Sequence, residues 1–429
     1  MYLLKKLFKG DPVIWIIFAI LCVYSLVFVF SATSTIVYKN DNMLGPITRH
    51  FGMLALGFTF GILVTHNIPY RFFKIGGLVL PLVVLLLIYT IFFGVEINGE
   101  KRWLEIFGIQ FQPSELAKLS LISYIALVLS KRGQLTDQQI FVWILGGAFA
   151  VCAAIFPTNG STALLIFGFT LLMMIIGQVS WKRIGQLIGI LAAIAVVGIL
   201  VLKFTPDSIG KHIPRFKTWQ ARIERFTENE PMINENGTIK DEYYQVVYAQ
   251  IAIAEGNIIG KGPGYGDQRD FLPQAYSDFI YAIILEEGGL IPGVFLLFVY
   301  LALLVRVGMI AKKCERLYPK YLVIGCGLLL GIQALTNMAV AVHLIPVTGQ
   351  PLPLISRGGT STIISCFYIG IILSVSRFAA NIGNEEDELP PEEVKPEAVP
   401  VTITQEEIAH WVPDAPEGIT MPEAKKGDI

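Results

Sequence analysis

Ten apolar runs constrain this chain more than any other feature, lying near residues 13–32, 51–66, 75–94, 114–130, 138–156, 161–178, 184–204, 277–305, 321–345 and 359–376. A helix that crosses a bilayer needs about 20 mostly apolar residues. Backbone groups have no water to bond there, so each such run must satisfy them within its own helix. A larger soluble core does not explain the pattern: the 429 residues are 54% hydrophobic and only 16% charged, against roughly a quarter charged in soluble domains. The expected fold is all-α and polytopic, with about ten transmembrane helices, the second, fourth and sixth of them short. Val13 to Ser31 has no small-residue cleavage site after it, so it reads as a retained first helix.

Loop charge orients the spans. One alternate set of loops holds Lys5, Lys6, Lys9, Arg71, Lys74, Lys131, Arg132, Lys182, Arg183, Arg306, Lys312, Lys313, Arg316, Lys320 and Arg377, fifteen cations. The short loops of the other set hold five: Lys39, Arg49, Lys101, Arg102 and Arg357. Cytoplasmic loops carry the excess of Lys and Arg, so both termini are expected in the cytoplasm and the large loop of about 204–277 outside. Residues 1–378 form the transmembrane domain on this reading. Residues 379–429 are rich in Pro and Glu, cannot form a core, and are expected to be a disordered cytoplasmic tail.

Net charge is −1, which gives no footprint for nucleic acid or an acidic substrate. Cys22, Cys152, Cys314, Cys326 and Cys366 all lie outside the large loop, so no disulfide framework is implied. The glycine run from Gly260 to Gly266 lacks the βαβ setting of a dinucleotide fingerprint; a close-approach backbone over a lipid headgroup suits its place better. No internal repeat is visible, which counts against a carrier built from duplicated halves.

Ionisable groups at membrane depth cost about 2.5–3.5 kcal/mol each on insertion scales, so they mark where chemistry could sit. Glu115 and Lys118 share a face at the start of the fourth run, as an ion pair or as part of a site. Asp278 opens the eighth run, either as a helix N-cap or as a catalytic carboxylate. Glu286 and Glu287 follow two turns on and would either satisfy polar groups between helices or line a site. His343 and Asn337 lie toward the outer end of the ninth run; the outer-side cations are Lys101, Arg102, Lys261, Arg269 and Arg357.

Several motifs then converge. Gln112-Pro113-Ser114-Glu115 with Lys118, and Lys101-Arg102-Trp103 upstream, resemble the Q-P-S-E-x-x-K and K-R-W signatures of the SEDS family (shape, elongation, division and sporulation). Tyr244-Gln245 followed by Gly256, Gly260, Gly262 and Gly264 is similar to its large-loop pattern. Leu272 to Ile280 resembles L-P-E-A-H-T-D-F-I, and Glu286-Glu287 its E-E. Val347 to Ser356 with Gly358-Gly359-Thr360-Ser361 resembles V-T-G-x-P-L-P-x-I-S-x-G-G-[ST]-S. The match runs in order through the whole transmembrane part.

The resemblance implies an inverting peptidoglycan glycosyltransferase that polymerises lipid II into a growing glycan strand at the outer face of the bacterial cytoplasmic (inner) membrane. It implies a class B penicillin-binding protein transpeptidase and other divisome proteins as partners. Of the family's branches, the stretch Leu272–Tyr281 and Arg357 look more like FtsW of Bacteroidetes-type bacteria, acting at the septum, than like the elongation branch. A flippase or transporter for the lipid-linked precursor, or a non-catalytic divisome scaffold, is the alternative. The family's essential aspartate falls on Asp278, the expected base. Arg102, Lys101, Lys261, Arg269 and Arg357, in that order, are the expected substrate-binding cations. Glu115, Lys118, Glu286, Glu287, Gln245 and Ser356 are expected to shape the cavity. A divalent cation is compatible with the activity, although no ligand motif implies one. The chain departs from the family where P-D-x-G-T reads Pro157-Thr158-Asn159-Gly160-Ser161-Thr162, where Gln274 and Tyr276 replace Glu and His, and at Arg357.

Overall fold

The first run becomes α1 (Pro12–Ala32), started by Asp11, whose carboxylate accepts from the amides of Val13 and Ile14 at 2.9 and 3.3 Å. Such a cap satisfies two of the four amides a helix start leaves bare. The computed structural model describes residues 8–33, 45–97, 100–106, 109–204, 239–240 and 243–388. The chain divides into two units, Met1–Gly383 and Asn384–Ile429; the first holds everything below except the end of the last helix, residues 384–388.

After α1 come α2 (Gly45–Leu56), α3 (Lys74–Leu78), α4 (Leu80–Phe93), α5 (Pro113–Ser130), α6 (Asp137–Ile155), α7 (Gly160–Ile176), α8 (Trp181–Phe204), α9 (Tyr244–Gly256), α10 (Ile280–Gly288), α11 (Leu290–Lys312), α12 (Leu317–Ala341) and α13 (Thr360–Glu388). Beyond Leu56, α2 widens into a π-helical stretch, Gly57–Val64, and ends in a 3-10 turn, Thr65–Asn67; Pro69 then bars continuation, and the chain turns through 112°. Among the described residues, seven helices are long and apolar enough to cross a membrane, or eight with that bent pair as one span, and α4 and α7 are shorter apolar helices. Large apolar side chains such as Phe30, Phe92, Phe149, Leu164 and Phe298 are exposed, as a lipid-facing bundle requires.

Three sequence expectations change. The eighth run, 277–305, is not one helix. Gly289 takes φ +83°, a conformation that suits only glycine readily, and splits the run into α10 and α11. The break is held by the glycine-rich segment: the amides of Lys261 and Gly262 donate to the Glu286 and Glu287 carbonyls (3.0 and 2.8 Å), and Leu290 N–H donates to Asn257 O (3.0 Å). The helix ladder gives way there to bonds from a second chain segment. The fold is also not purely helical. Between α4 and α5 lies a three-stranded antiparallel sheet of β1 (Val95–Ile97), β2 (Glu100–Ile106) and β3 (Ile109–Phe111), too short to show in hydropathy. Finally, α13 continues to Glu388, ten residues into the stretch read as tail, and meets prolines only at 390 and 391; the rest of that tail lies outside the described residues. So does most of the large loop's first half, whereas its second half contains the unforeseen α9, packed on α10.

Both ends of the bundle are fixed by polar contacts. At one end Arg306 of α11 grips the Asp11 carboxylate, with Nη2 to Oδ2 at 2.7 Å and Nε to Oδ1 at 2.9 Å, and Asp11 N–H donates to Ser376 Oγ of α13 at 3.0 Å. The opposite end, where α13 starts at Thr360, carries the cavity described next.

Candidate active site

A cavity of about 720 Å³ opens at that end, lined largely by polar groups and within the size range of small-molecule sites. Asp278 lies on its wall. The carboxylate does not cap a helix: α10 begins two residues later, with Phe279 at the cap position and no side-chain cap bond. Asp278 sits instead in a tight turn whose residue Gln274 has φ +60°. A non-glycine residue in that region is uncommon and strained, and such strain gathers at functional sites.

The turn is held from two elements. Asn337 of α12 donates through one amide nitrogen to the carbonyls of Asp278 and Gln350, both at 2.8 Å. Ser356 Oγ donates to Ser277 O at 2.6 Å and accepts from Leu352 N–H at 2.7 Å. Arg357 N–H donates to Tyr276 O at 2.9 Å. Gly349 (φ +65°) passes so close that a Cβ there would stand 3.3 Å from Asp278 Oδ2. Asp278 is thus fixed in place by the segment 349–357 and by α12, as a group held for chemistry must be.

Arg102 lines the same cavity, near enough for its charge to act on Asp278, and the strand explains how. Between β1 and β2 the register steps from Val95↔Trp103 to Glu96↔Lys101, leaving Arg102 as the extra residue of a bulge. Bulges re-aim side chains, which is how the sequence neighbours Arg102 and Trp103 both line the cavity. Arg102 Nε donates to Thr158 O at 2.7 Å, so the segment lacking the family's acid serves here as a rest for the guanidinium. Asn159 next to it caps α7, accepting from Thr162 N–H at 3.1 Å. Burial pushes the Asp278 carboxyl above the usual carboxylate range, while the Ser277 hydroxyl, 2.9 Å from Oδ1, and the positive charge of Arg102 pull it back.

The other expected residues divide. Arg357 lines the cavity with its guanidinium 5.2 Å from the Tyr276 ring centroid. Gln245, from α9, and Glu115 line it too. Glu115 and Lys118 form a buried ion pair at 2.7 Å beneath the floor. Lys101 borders only a small side pocket beside Arg102. Lys261 and Arg269 are not brought to the cavity at all. Lys261 binds Glu255, Asp267 and Glu286 at 2.5, 2.8 and 3.4 Å, contacts that hold its ammonium above the usual lysine range, with Asp267 contributing most. Arg269 donates to Ser31 Oγ at 2.8 Å and stands 3.6 Å from Glu287. The physical reason is α10: its buried Glu286 and Glu287 draw the loop cations to themselves. Glu286 also accepts from the amides of Asp267 and Gln268 at 2.7 and 3.0 Å, so the E-E pair anchors the loop that precedes α10. Among the described residues, Glu255, Asp267 and Glu286 are the one acid group with metal-like spacing, their oxygens within 4.8 Å of one another; the Lys261 ammonium occupies that space.

Two charged or titratable lining residues were not among the site candidates read from the sequence. Arg49 and His50, from the start of α2, border the cavity beside Arg357. The signal existed. Of the five outer short-loop cations, Arg49, Arg102 and Arg357 line the cavity, and cations on the side that charge bias disfavours are worth explaining.

A family model described as a cell cycle protein, FtsW/RodA/SpoVE, matches residues 11–381. A probable peptidoglycan glycosyltransferase FtsW of Geobacter sp. (strain M18) is 30% identical over 376 residues, covering 85% of this chain and 96% of that one. The peptidoglycan glycosyltransferase MrdB of Escherichia coli (strain K12) is 27% identical over 371 residues, covering 85% and 93%. Among solved structures, the rod shape determining protein RodA of Thermus thermophilus superposes with a TM-score of 0.60 at 23% identity, over 86% of this chain and 97% of that chain. A chain from a study of "Structural coordination of polymerization and crosslinking by a peptidoglycan synthase complex" gives 0.67 at 23%, over 86% and 98%.

Proposed function

The chain belongs to the FtsW/RodA/SpoVE family of cell cycle proteins, and on that premise we propose that it is a peptidoglycan glycosyltransferase of the bacterial cytoplasmic membrane, extending glycan strands from lipid II. One observation carries the reading: the Asp278 carboxylate is pinned on the wall of a polar cavity of about 720 Å³ that Arg102 also lines, while the other lining carboxylate, Glu115, is paired with Lys118. The names of the relatives, peptidoglycan glycosyltransferases FtsW and MrdB, support the same activity.

The chemistry follows from the groups present. The 4-hydroxyl of an acceptor sugar attacks the anomeric carbon of a lipid-linked donor. The new C–O bond forms as the bond to the pyrophosphate oxygen breaks, and the pyrophosphate leaves with the electron pair. Asp278 takes the hydroxyl proton; positioned bases contribute about 10²–10⁴-fold. One base and no covalent intermediate invert the anomeric centre. Arg102 and Arg357 oppose the charge that grows on the leaving group. Glu115 with Lys118 keeps the floor in shape.

The excess of Lys and Arg in the loops of the other end supports an outward-facing cavity, on the side where this reading has lipid II polymerised. The partner suited to such an enzyme is a class B penicillin-binding protein transpeptidase, in keeping with the synthase complex whose chain superposes on this one. A septal role is the reading favoured by FtsW-named relatives. The test is purified lipid II supplied to the purified chain in nanodiscs, alone and with that partner. Glycan strands in either arm are expected. Their absence in both, with movement of fluorescent lipid II across liposomes instead, would replace the enzyme by a transporter.

A further inference from the structure

A second concavity lies toward the other end of the bundle from Asp278. It is a groove of about 750 Å³ between α3, α4, α5 and α6, and apolar side chains line it almost throughout. Close contacts set its shape. Gly77 brings α3 onto α5, where a Cβ would stand 2.6 Å from Leu127. Gly147 brings α6 against the Tyr124 ring, and the Tyr124 hydroxyl donates to Trp143 O at 2.9 Å. Leu78, Leu85 and Trp143 on its walls are 72, 61 and 57% exposed, so the groove opens at the surface of the bundle and not into the core.

The helix α5 gives its depth. Gln112 and Glu115, at the start of α5, line the polar cavity, whereas its last two turns, from Tyr124 on, line the groove. The 18 residues of α5 span about 27 Å at 1.5 Å per residue, close to the about 30 Å of hydrocarbon in a bilayer. The groove therefore lies in the leaflet away from the cavity, with Lys131, the residue that follows α5, at its outer limit. Lys131 is the one charged residue lining it. Its ammonium has no ion-pair or hydrogen-bond partner among the described residues, and the nearest acid along the chain, Asp137, is held by Arg183 at 3.3 Å. Two more cations of this end meet no carboxylate among the described residues. Arg132 binds the carbonyls of Gly177 and Gln178, and Lys74, one turn before Leu78, lies 5.4 Å from the Tyr318 ring centroid.

An occupant matched to this groove is apolar along its length and anionic at one end. We propose that the groove binds one anionic phospholipid, with an acyl chain between α4 and α6 and its phosphate on Lys131. Basic pockets between transmembrane helices hold anionic head groups in this way. The excess of Lys and Arg in the loops of this end supports a cytoplasmic position, and the cytoplasmic leaflet is the negatively charged one. A further apolar helix would fill the groove but leave Lys131 without a counter-charge. The lipid is not the substrate, since it lies in the other leaflet, and the site stands whether or not the chain is a glycosyltransferase. It touches the polar cavity only through α5, whose first turn carries Glu115 and whose last turns line the groove.

The test is native mass spectrometry of the full chain, released from micelles that hold equal amounts of phosphatidylglycerol and phosphatidylcholine. One phosphatidylglycerol per chain should be retained in preference to phosphatidylcholine. Lys131→Gln should cut that preference about fivefold, which is what one cation near an anionic lipid surface contributes. Lys182→Gln removes the same charge from the same end but outside the groove, and should change nothing. Ala150→Phe, at an exposed position on the groove wall, should fill the space and abolish the preference. All three positions are exposed, so the variants are expected to fold. Equal retention of the two lipids by the wild type, an equal loss in Lys131→Gln and Lys182→Gln, or a preference that survives Ala150→Phe overturns the proposal. So does a chain that retains no lipid and forms a dimer that Ala150→Phe separates, because the groove would then belong to a second copy.

Discussion

Asp278 shows how much neighbours decide for one residue. Burial alone would leave its carboxyl a poor base at moderately acid pH, because it would stay protonated. Ser277 and Arg102 each favour the charged form. The base works only when ionised, so activity should rise with pH through its raised pKa. Removing either helper raises that pKa further. Arg102→Gln and Ser277→Ala should therefore both move the acid limb of the pH profile of kcat/KM to higher pH. A shift to lower pH would detach Arg102 from Asp278. Asn337, singled out in the sequence only as a polar residue in an apolar run, proves to hold the turn by its backbone.

At the scale of elements, the E-E pair and the glycine run form one device. The carbonyls of Glu286 and Glu287 receive the amides of Lys261 and Gly262, and the Glu286 side chain receives Lys261 and two further amides. Lys261 is then a strut of the loop that precedes α10. Lys261→Ala leaves a buried carboxylate short of its counterion, a change that costs about 3–5 kcal/mol where burial is complete and less here, because Lys261 is partly exposed. The variant should melt several degrees lower, while its folded fraction keeps the wild-type KM for lipid II. A stable protein with raised KM would restore the substrate role. Two elements were illegible in advance for physical reasons. Hydropathy averages over the break at Gly289, because the Glu286-Glu287-Gly288-Gly289 stretch is short and flanked by apolar residues, and the bulge that aims Arg102 depends on a register that only pairing sets.

For the whole molecule, each apolar run carries a helix, the eighth broken in two at Gly289, and three of the five cations in the sparser set of short loops, Arg49, Arg102 and Arg357, line the cavity. The site itself was half legible: Asp278, Arg102, Arg357 and Glu115 came from motifs, whereas Arg49 and His50 reach the cavity only because α2 packs beside the segment before α13, linked through Ser25. Long-range packing of that kind leaves no local trace in a sequence. One proposed step joins these scales: the Asp278 carboxylate removes a proton from the acceptor sugar. Its most direct test is the rate of glycan formation from lipid II by Asp278→Asn, which keeps shape and removes the base. A fall of at least about 10²-fold, with unfolding temperature unchanged, is the predicted result. A rate within tenfold of the wild type would contradict the account.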